Sequence, residues 1–71
     1  MYHYRITILC HWKDLSSTSV VVYRISRIPY TEAFELSTLE TYELSLPTEL
    51  RENLMYLTVD TVNYLGNSNA A

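Results

Sequence analysis

The chain has 71 residues, of which 48% are hydrophobic and 18% charged, and it carries a formal net charge of −3. A chain this short holds one domain with one hydrophobic core, and a composition this apolar excludes an intrinsically disordered protein. The sequence therefore predicts a single folded domain over residues 1–71.

Targeting signals are missing from the sequence. No apolar run approaches the roughly 20 residues that cross a bilayer, and the N-terminus lacks the basic and apolar regions of a signal peptide. The single cysteine, Cys10, excludes an internal disulfide and suits a reducing compartment. We therefore expect a cytoplasmic protein with no membrane association.

The N-terminal third predicts a β-hairpin. Over residues 2–12 the side chains alternate with the period of a half-buried strand. After a polar stretch, residues 19–28 concentrate β-branched side chains, which favour a strand over a helix. The face with Val21, Tyr23 and Ile25 is the more apolar face of this second strand. Consecutive strands joined by a short polar loop usually pair antiparallel.

Residues 30–46 have two interpretations. Their apolar and polar side chains alternate, which favours one or two further strands with a turn near residues 37–40. Residues 31–36 also contain acceptable helix formers, but the apolar side chains make no continuous helical stripe. We predict strands in this segment.

The C-terminal segment predicts an amphipathic helix over residues 48–65. Pro47, Thr48 and Glu49 are typical of a helix start, and Gly66 of a helix stop. Between these signals, side chains on one helical stripe recur at spacings of three and four. They are Leu50, Leu54, Leu57, Thr61 and Tyr64.

These elements together predict an α+β fold. It consists of a small antiparallel sheet of three to four strands with one C-terminal amphipathic helix packed on one face. Residues 67–71 are expected to form a frayed tail.

The residues that most resemble a metal or catalytic site are poorly placed for either. On a strand, His3 and His11 share one face about 26 Å apart, while Cys10 points to the other face. The six glutamates lie among polar residues, where nothing desolvates a catalytic carboxyl group. No glycine-rich phosphate loop is present. We therefore expect no enzyme activity, no metal and no cofactor.

Tyrosines and carboxylates predict a surface that binds a protein. Seven of the 71 residues are tyrosine, a side chain that supplies a large contact area with a polar tip. The second half of the chain is strongly acidic, which suits a basic partner surface. The candidate partner-binding residues are Glu32, Glu35, Glu40, Glu43, Tyr30 and Tyr42. They predict a noncatalytic module that binds a larger protein or protein complex, either as a monomer or as a homodimer.

A small, acidic, tyrosine-rich domain without enzyme motifs is similar in general character to phage or plasmid inhibitors of host machinery, including anti-CRISPR proteins. That likeness implies a viral or phage protein that blocks a surface of a host complex.

The alternative function is binding of single-stranded nucleic acid by the basic, aromatic N-terminal hairpin. Bases stack on aromatic side chains of a sheet while cations contact the phosphates. The candidate residues are Arg5, Lys13, Arg24 and Arg27. An acidic overall balance makes nucleic acid the weaker hypothesis.

Overall fold

A computed structural model describes residues 1–14 and 17–67. In chain order the elements are β1 (Tyr2–Trp12), β2 (Thr18–Arg27), α1 (Glu32–Ser45), α2 (Thr48–Asn53) and β3 (Leu54–Asn67). The three strands lie in the order β2-β1-β3, and β1 pairs antiparallel with both neighbours. The α+β class and the small antiparallel sheet are as predicted, but the longer helix lies in the middle of the chain and β3 is its last described element.

The hairpin of β1 and β2 confirms the sequence analysis closely. The two strands pair in unbroken register from Tyr2 opposite Arg27 to His11 opposite Thr18. The predicted inward face of β2 is also confirmed, because Val21, Tyr23 and Ile25 are half-buried while their neighbours in sequence are exposed.

The strands predicted within residues 30–46 are wrong, because this segment forms α1. Thr31 caps the helix: its Oγ1 accepts a hydrogen bond from the Phe34 amide at 3.0 Å. The buried stripe recurs every four residues through Phe34, Thr38 and Tyr42, so a threonine occupies its centre. The Thr38 hydroxyl donates to the Phe34 carbonyl at 2.8 Å, which satisfies its hydrogen-bonding need inside the core.

The helix predicted over residues 48–65 is also wrong beyond its first six residues. Helix α2 begins at Thr48 as predicted but ends at Asn53, and β3 follows. The pairing of β3 with β1 contains three register shifts, each of which adds a residue to β3. Inward side chains therefore recur at spacings of three as well as two. They are Leu54, Leu57, Val59, Val62 and Tyr64.

One of these shifts lies beside the chain's single glycine. Gly66 is opposite His3 and has a φ of 120°, a left-handed conformation that side chains other than glycine rarely adopt. This residue, predicted to stop a helix, instead belongs to the end of β3. Of the predicted frayed tail, Asn67 ends β3, and residues 68–71 lie outside the described residues.

Helix α1 covers one face of the sheet and forms the core with it. The Phe34 ring contacts Tyr4 with centroids 5.0 Å apart, and the Tyr42 ring meets Tyr23 at 5.6 Å. Both contacts are on the side of β1 that is buried. The core residues are Tyr4, Ile6, Ile8, Cys10, Phe34 and Leu54.

The opposite face of the sheet, termed the open face, consists of the alternate side chains of the three strands. Along β2 it is well exposed, with Val20 at 62% and Val22 at 58%. Its central row comes from β1, namely His3, Arg5, Thr7, Leu9 and His11. Within the described residues, neither helix has the length and apolar character that a membrane span requires.

Candidate functional site

The outward side of α1 forms an acidic surface that also exposes two leucines. We define the acidic surface as Glu32, Leu36, Glu40, Glu43 and Leu44 of α1. Leu36 is 62% exposed and Leu44 is 71% exposed. Residues three and four positions apart are neighbours on a helix, so these side chains form one continuous strip. Three of the six predicted partner-binding residues are fully part of it.

The carboxylates at the C-terminal end of α1 act against the stability of the helix. Glu43 lies in the last turn, which holds no basic residue, and therefore faces the negative end of the helix dipole. Glu40 lies three residues earlier and adds a like charge next to it. A carboxylate at this end typically costs about 0.3–1 kcal/mol. Residues that reduce stability are typical of functional sites.

A groove separates this end of α1 from the start of β3. Its lining combines apolar side chains with two carboxylates: Leu39, Glu40, Glu43, Met55, Tyr56 and Leu57. Met55 and Tyr56 are exposed despite their size. A lysine or arginine side chain has a long apolar stem and a charged tip, so its two parts match the two kinds of lining.

The apolar part of this site was not predicted from the sequence. Leu36 and Leu44 were predicted in strands and Met55 in a helix, and none of them was a candidate site residue. One signal was present in the sequence: Thr31 is followed by Glu32, Leu36, Glu40 and Leu44 at spacings of four, which is one outward row of a capped helix.

Tyr30 and Glu35 interact with each other at the N-terminal end of α1. The Tyr30 hydroxyl donates a hydrogen bond to Glu35, and its ring meets the Phe34 ring edge-on at 5.6 Å. This hydrogen bond raises the pKa of Tyr30 above its ordinary value of 10.0. Tyr30 remains exposed, while Glu35 is half-buried.

Tyr42 lies on the buried side of α1 rather than on the acidic surface. Its ring is half-buried against Tyr23 of β2. Burial raises the pKa of Tyr42, and the neighbouring Cys10 adds to the rise. The structure therefore brings Glu32, Glu40 and Glu43 together on the acidic surface. Glu35 and Tyr42 instead contact other residues of the domain.

The four basic candidates are only partly brought together. Arg5 of β1 and Arg24 of β2 are direct cross-strand neighbours on the open face. Lys13 follows β1, where its amide donates to the Asn53 carbonyl at 2.8 Å. Arg27 is opposite Tyr2 at the other end of the hairpin. Like charges placed opposite one another destabilise a sheet.

The two histidines and the cysteine lie as the alternation predicts. His3 shares a hydrogen bond with Ser26 at 2.8 Å, and His11 stacks on Tyr56 with centroids 4.2 Å apart. Cys10 is 1% exposed and points to the helix side. Across residues 1–14 and 17–67, no group of three or more His, Cys, Asp or Glu side chains is arranged to hold a metal ion.

Comparisons of the chain with known protein families, with curated proteins and with solved structures found no match. The side chains of the acidic surface and of the groove beside it are therefore the basis for a functional assignment.

Proposed function

We propose that this chain is a noncatalytic protein-binding module whose acidic surface docks on a basic surface of a larger protein. The observation that supports this most directly is the position of Glu40 and Glu43. Glu43 lies in the last turn of α1, where a carboxylate lowers stability, Glu40 lies three residues before it, and both line the apolar groove. Leu44, at 71% exposure, lies beside them.

The proposed partner presents a lysine or arginine next to apolar side chains. The stem of the basic residue packs on Met55 and Leu57, and its cation reaches Glu40 and Glu43. Exposed Leu36 and Leu44 extend the contact along α1. Charge pairs of this kind speed association and fix orientation, while the buried apolar contacts slow dissociation.

We further propose that docking is inhibitory, as in the small phage or plasmid inhibitors that include anti-CRISPR proteins. A single domain of 8.3 kDa acts on a partner mainly through the surface that it presents. Covering a basic surface of a host complex is an action that a molecule of this size performs well, because a typical interface occupies about 800 Å² per partner.

The experiment is an affinity capture from source-cell lysate with nuclease present, using the wild-type chain and two double variants. Glu40→Lys/Glu43→Lys reverses the charge at the groove. Glu49→Lys/Glu52→Lys makes the same change in net charge on α2, outside the groove. We expect the first variant to lose the captured protein and the second to retain it.

Stability measurements separate this effect from misfolding. Since Glu43 opposes the helix dipole and a lysine there complements it, reversal of the two charges should leave the melting temperature unchanged or raise it. Capture that survives Glu40→Lys/Glu43→Lys, or that is lost equally in both variants, would contradict the proposed site.

A second candidate function is binding of single-stranded nucleic acid, favoured by the adjacency of Arg5 and Arg24 on the open face. Each phosphate contact to a single strand contributes about 0.7 to the slope of log affinity against log salt concentration. With a labelled oligonucleotide, Arg24→Ala should weaken binding and flatten that slope, whereas Arg51→Ala on α2 should do neither. Equal binding by both variants would exclude the open face.

A further inference from the structure

The sheet has two edge strands, and the edge of β3 is protected against pairing. Three register shifts interrupt the pairing of β3 with β1. At one of them Asp60 is the extra residue, between Val59 opposite Ile8 and Thr61 opposite Thr7. Bulges and charges on an edge strand prevent another strand from adding to it.

The edge of β2 has fewer of these protections, because it has no bulge and its only charges are Arg24 and Arg27. Its ten residues pair with β1 in unbroken register, and its sequence contains neither proline nor a carboxylate. Of the two edge strands, α1 packs mainly against β3. Val20 and Val22 are 62% and 58% exposed beside this edge. A long, regular, apolar edge strand is a template for a further strand.

We propose that the edge of β2 pairs antiparallel with β2 of a second copy of this chain, giving one continuous six-stranded sheet. The two-fold axis passes between Val22 and Val22 of the second copy. Residues 18–26 of each copy then face each other, and about eight to ten hydrogen bonds satisfy the backbone groups of both edges. The two α1 helices lie on the same side of the joined sheet.

The sequence of β2 complements itself in this register. Tyr23 lies opposite Val21 on the helix side, which is a favourable pair of an aromatic and a β-branched side chain. At the ends, Thr18 lies opposite Ser26, so that two hydroxyl groups meet. These pairings follow from the two-fold axis and require no residue from any other protein.

The register also keeps positive charges apart. Arg24 lies opposite Val20 of the second copy, and the two Arg24 side chains are about 13 Å apart along the strands. An axis placed at Arg24 would instead set two guanidinium groups opposite one another, which is unfavourable. This charge distribution selects Val22 over Arg24 as the centre. The proposed contact is separate from the acidic surface and does not depend on the function proposed for it.

The first test measures molar mass by sedimentation equilibrium. We expect twice 8.3 kDa for the wild type at high concentration. Val22→Lys places two cations at the axis and should give a monomer. Thr61→Lys is the matched control, because Val22 and Thr61 lie on either side of Thr7 on the same face and are both exposed.

A wild-type mass that remains at 8.3 kDa, a Val22→Lys dimer, or dissociation by Thr61→Lys alone would each overturn the proposal. Circular dichroism shows whether Val22→Lys is folded.

The second test uses cross-linking in the folded protein and reports the register directly. A cysteine at the axis lies within disulfide distance of its own copy. Val22→Cys should therefore form a covalent dimer under mild oxidation, whereas Ser26→Cys should not, because Ser26 faces Thr18. Cys10 is 1% exposed and stays unreactive in both. Cross-linking of Ser26→Cys as fast as Val22→Cys, or of neither, would contradict the proposed register.

Discussion

The two edge strands of this sheet are built in opposite ways. Strand β2 pairs with β1 without interruption, exposes valines and lies apart from most of α1, whereas β3 contains three register shifts, exposes Asp60 and packs against α1. A small sheet has two edges, and each must either be protected against pairing or pair with another strand. The difference indicates that β3 ends the sheet, while β2 is available to extend it.

The central strand β1 pairs with both edge strands. Loss of one of its buried side chains should therefore have the largest effect on stability. Ile8 is fully buried between Val21 of β2 and Val59 of β3. We expect Ile8→Ala to lower the free energy of unfolding by about 2–5 kcal/mol. Val59→Ala should cost less and Val21→Ala least, because α1 covers β3 more than β2.

Urea denaturation at a protein concentration low enough to dissociate any dimer gives these three values. Equal losses for Val21→Ala and Val59→Ala would show that α1 supports the two edges equally.

The cap of α1 should have an intermediate effect. Thr31 accepts a hydrogen bond from the Phe34 amide, and Thr31→Ala leaves that amide without its partner. We expect a loss of about 1 kcal/mol in the free energy of unfolding, whereas Thr31→Ser, which keeps the hydroxyl oxygen, should retain most of it. The measurement is again denaturation by urea. If the serine variant loses as much as the alanine variant, the hydrogen bond is not the source of the stability.

A third change removes the one charge of β3, and with it part of the difference between the two edges, with little effect on stability. Asp60→Val replaces the charge at the irregular edge with a β-branched side chain. We expect the free energy of unfolding to change by less than about 0.5 kcal/mol, as is usual at a surface position. Light scattering should nevertheless show more species larger than a dimer than the wild type does, since only the bulges then protect the β3 edge.

The control for this variant is Glu52→Val, which removes one carboxylate and adds one exposed valine on α2. If both variants associate equally, general surface hydrophobicity is responsible, and Asp60 does not protect the edge.

The smallest expected effect is a change in the titration of tyrosines. The hydrogen bond to Glu35 raises the pKa of Tyr30, and burial raises the pKa values of Tyr42 and Tyr64. Well below pH 10 these phenols are neutral in both folded and unfolded states, so they add no pH dependence there. As pH rises further, the unfolded state ionises first, and stability falls through the higher folded-state pKa values.

Phenolate absorbance of the folded protein measures this directly. Tyr30→Phe should remove one phenol from the late-titrating group. If Tyr30→Phe instead removes a phenol that titrates in the ordinary range, the hydrogen bond to Glu35 does not raise the pKa of Tyr30.

The sequence predicts the regular parts of this fold and fails at the irregular parts. Strands β1 and β2 follow a period of two without interruption, and both were predicted within a residue or two of their bounds. In β3 the bulges place some inward residues three positions apart, a spacing that also occurs in the apolar stripe of a helix. The β-branched residues Thr58, Val59, Thr61 and Val62 lower the helix propensity of this segment, but the prediction of a helix followed the spacing of the stripe.

The candidate site was predicted in part for a similar reason. The charge of residues 32–43 is visible in the sequence, and Glu32, Glu40 and Glu43 do share one surface. The groove was not predictable, because Met55 and Leu57 line it beside α1 only when residues 54–67 form a strand. The residue at the centre of the buried stripe of α1 is Thr38, which is polar. The sequence therefore shows no continuous apolar stripe that would identify α1 as a helix.

The order of strands in the sheet also determines when each edge forms during synthesis. Strand β1 is made before both of its neighbours, and the second of them, β3, ends at Asn67. Until that segment emerges, the hairpin of β1 and β2 has a free edge on each side. Contacts between distant parts of a chain close slowly, so the nascent hairpin has time to meet other strands. The rate at which residues 54–67 join the sheet therefore sets how long the hairpin exposes an edge on each side.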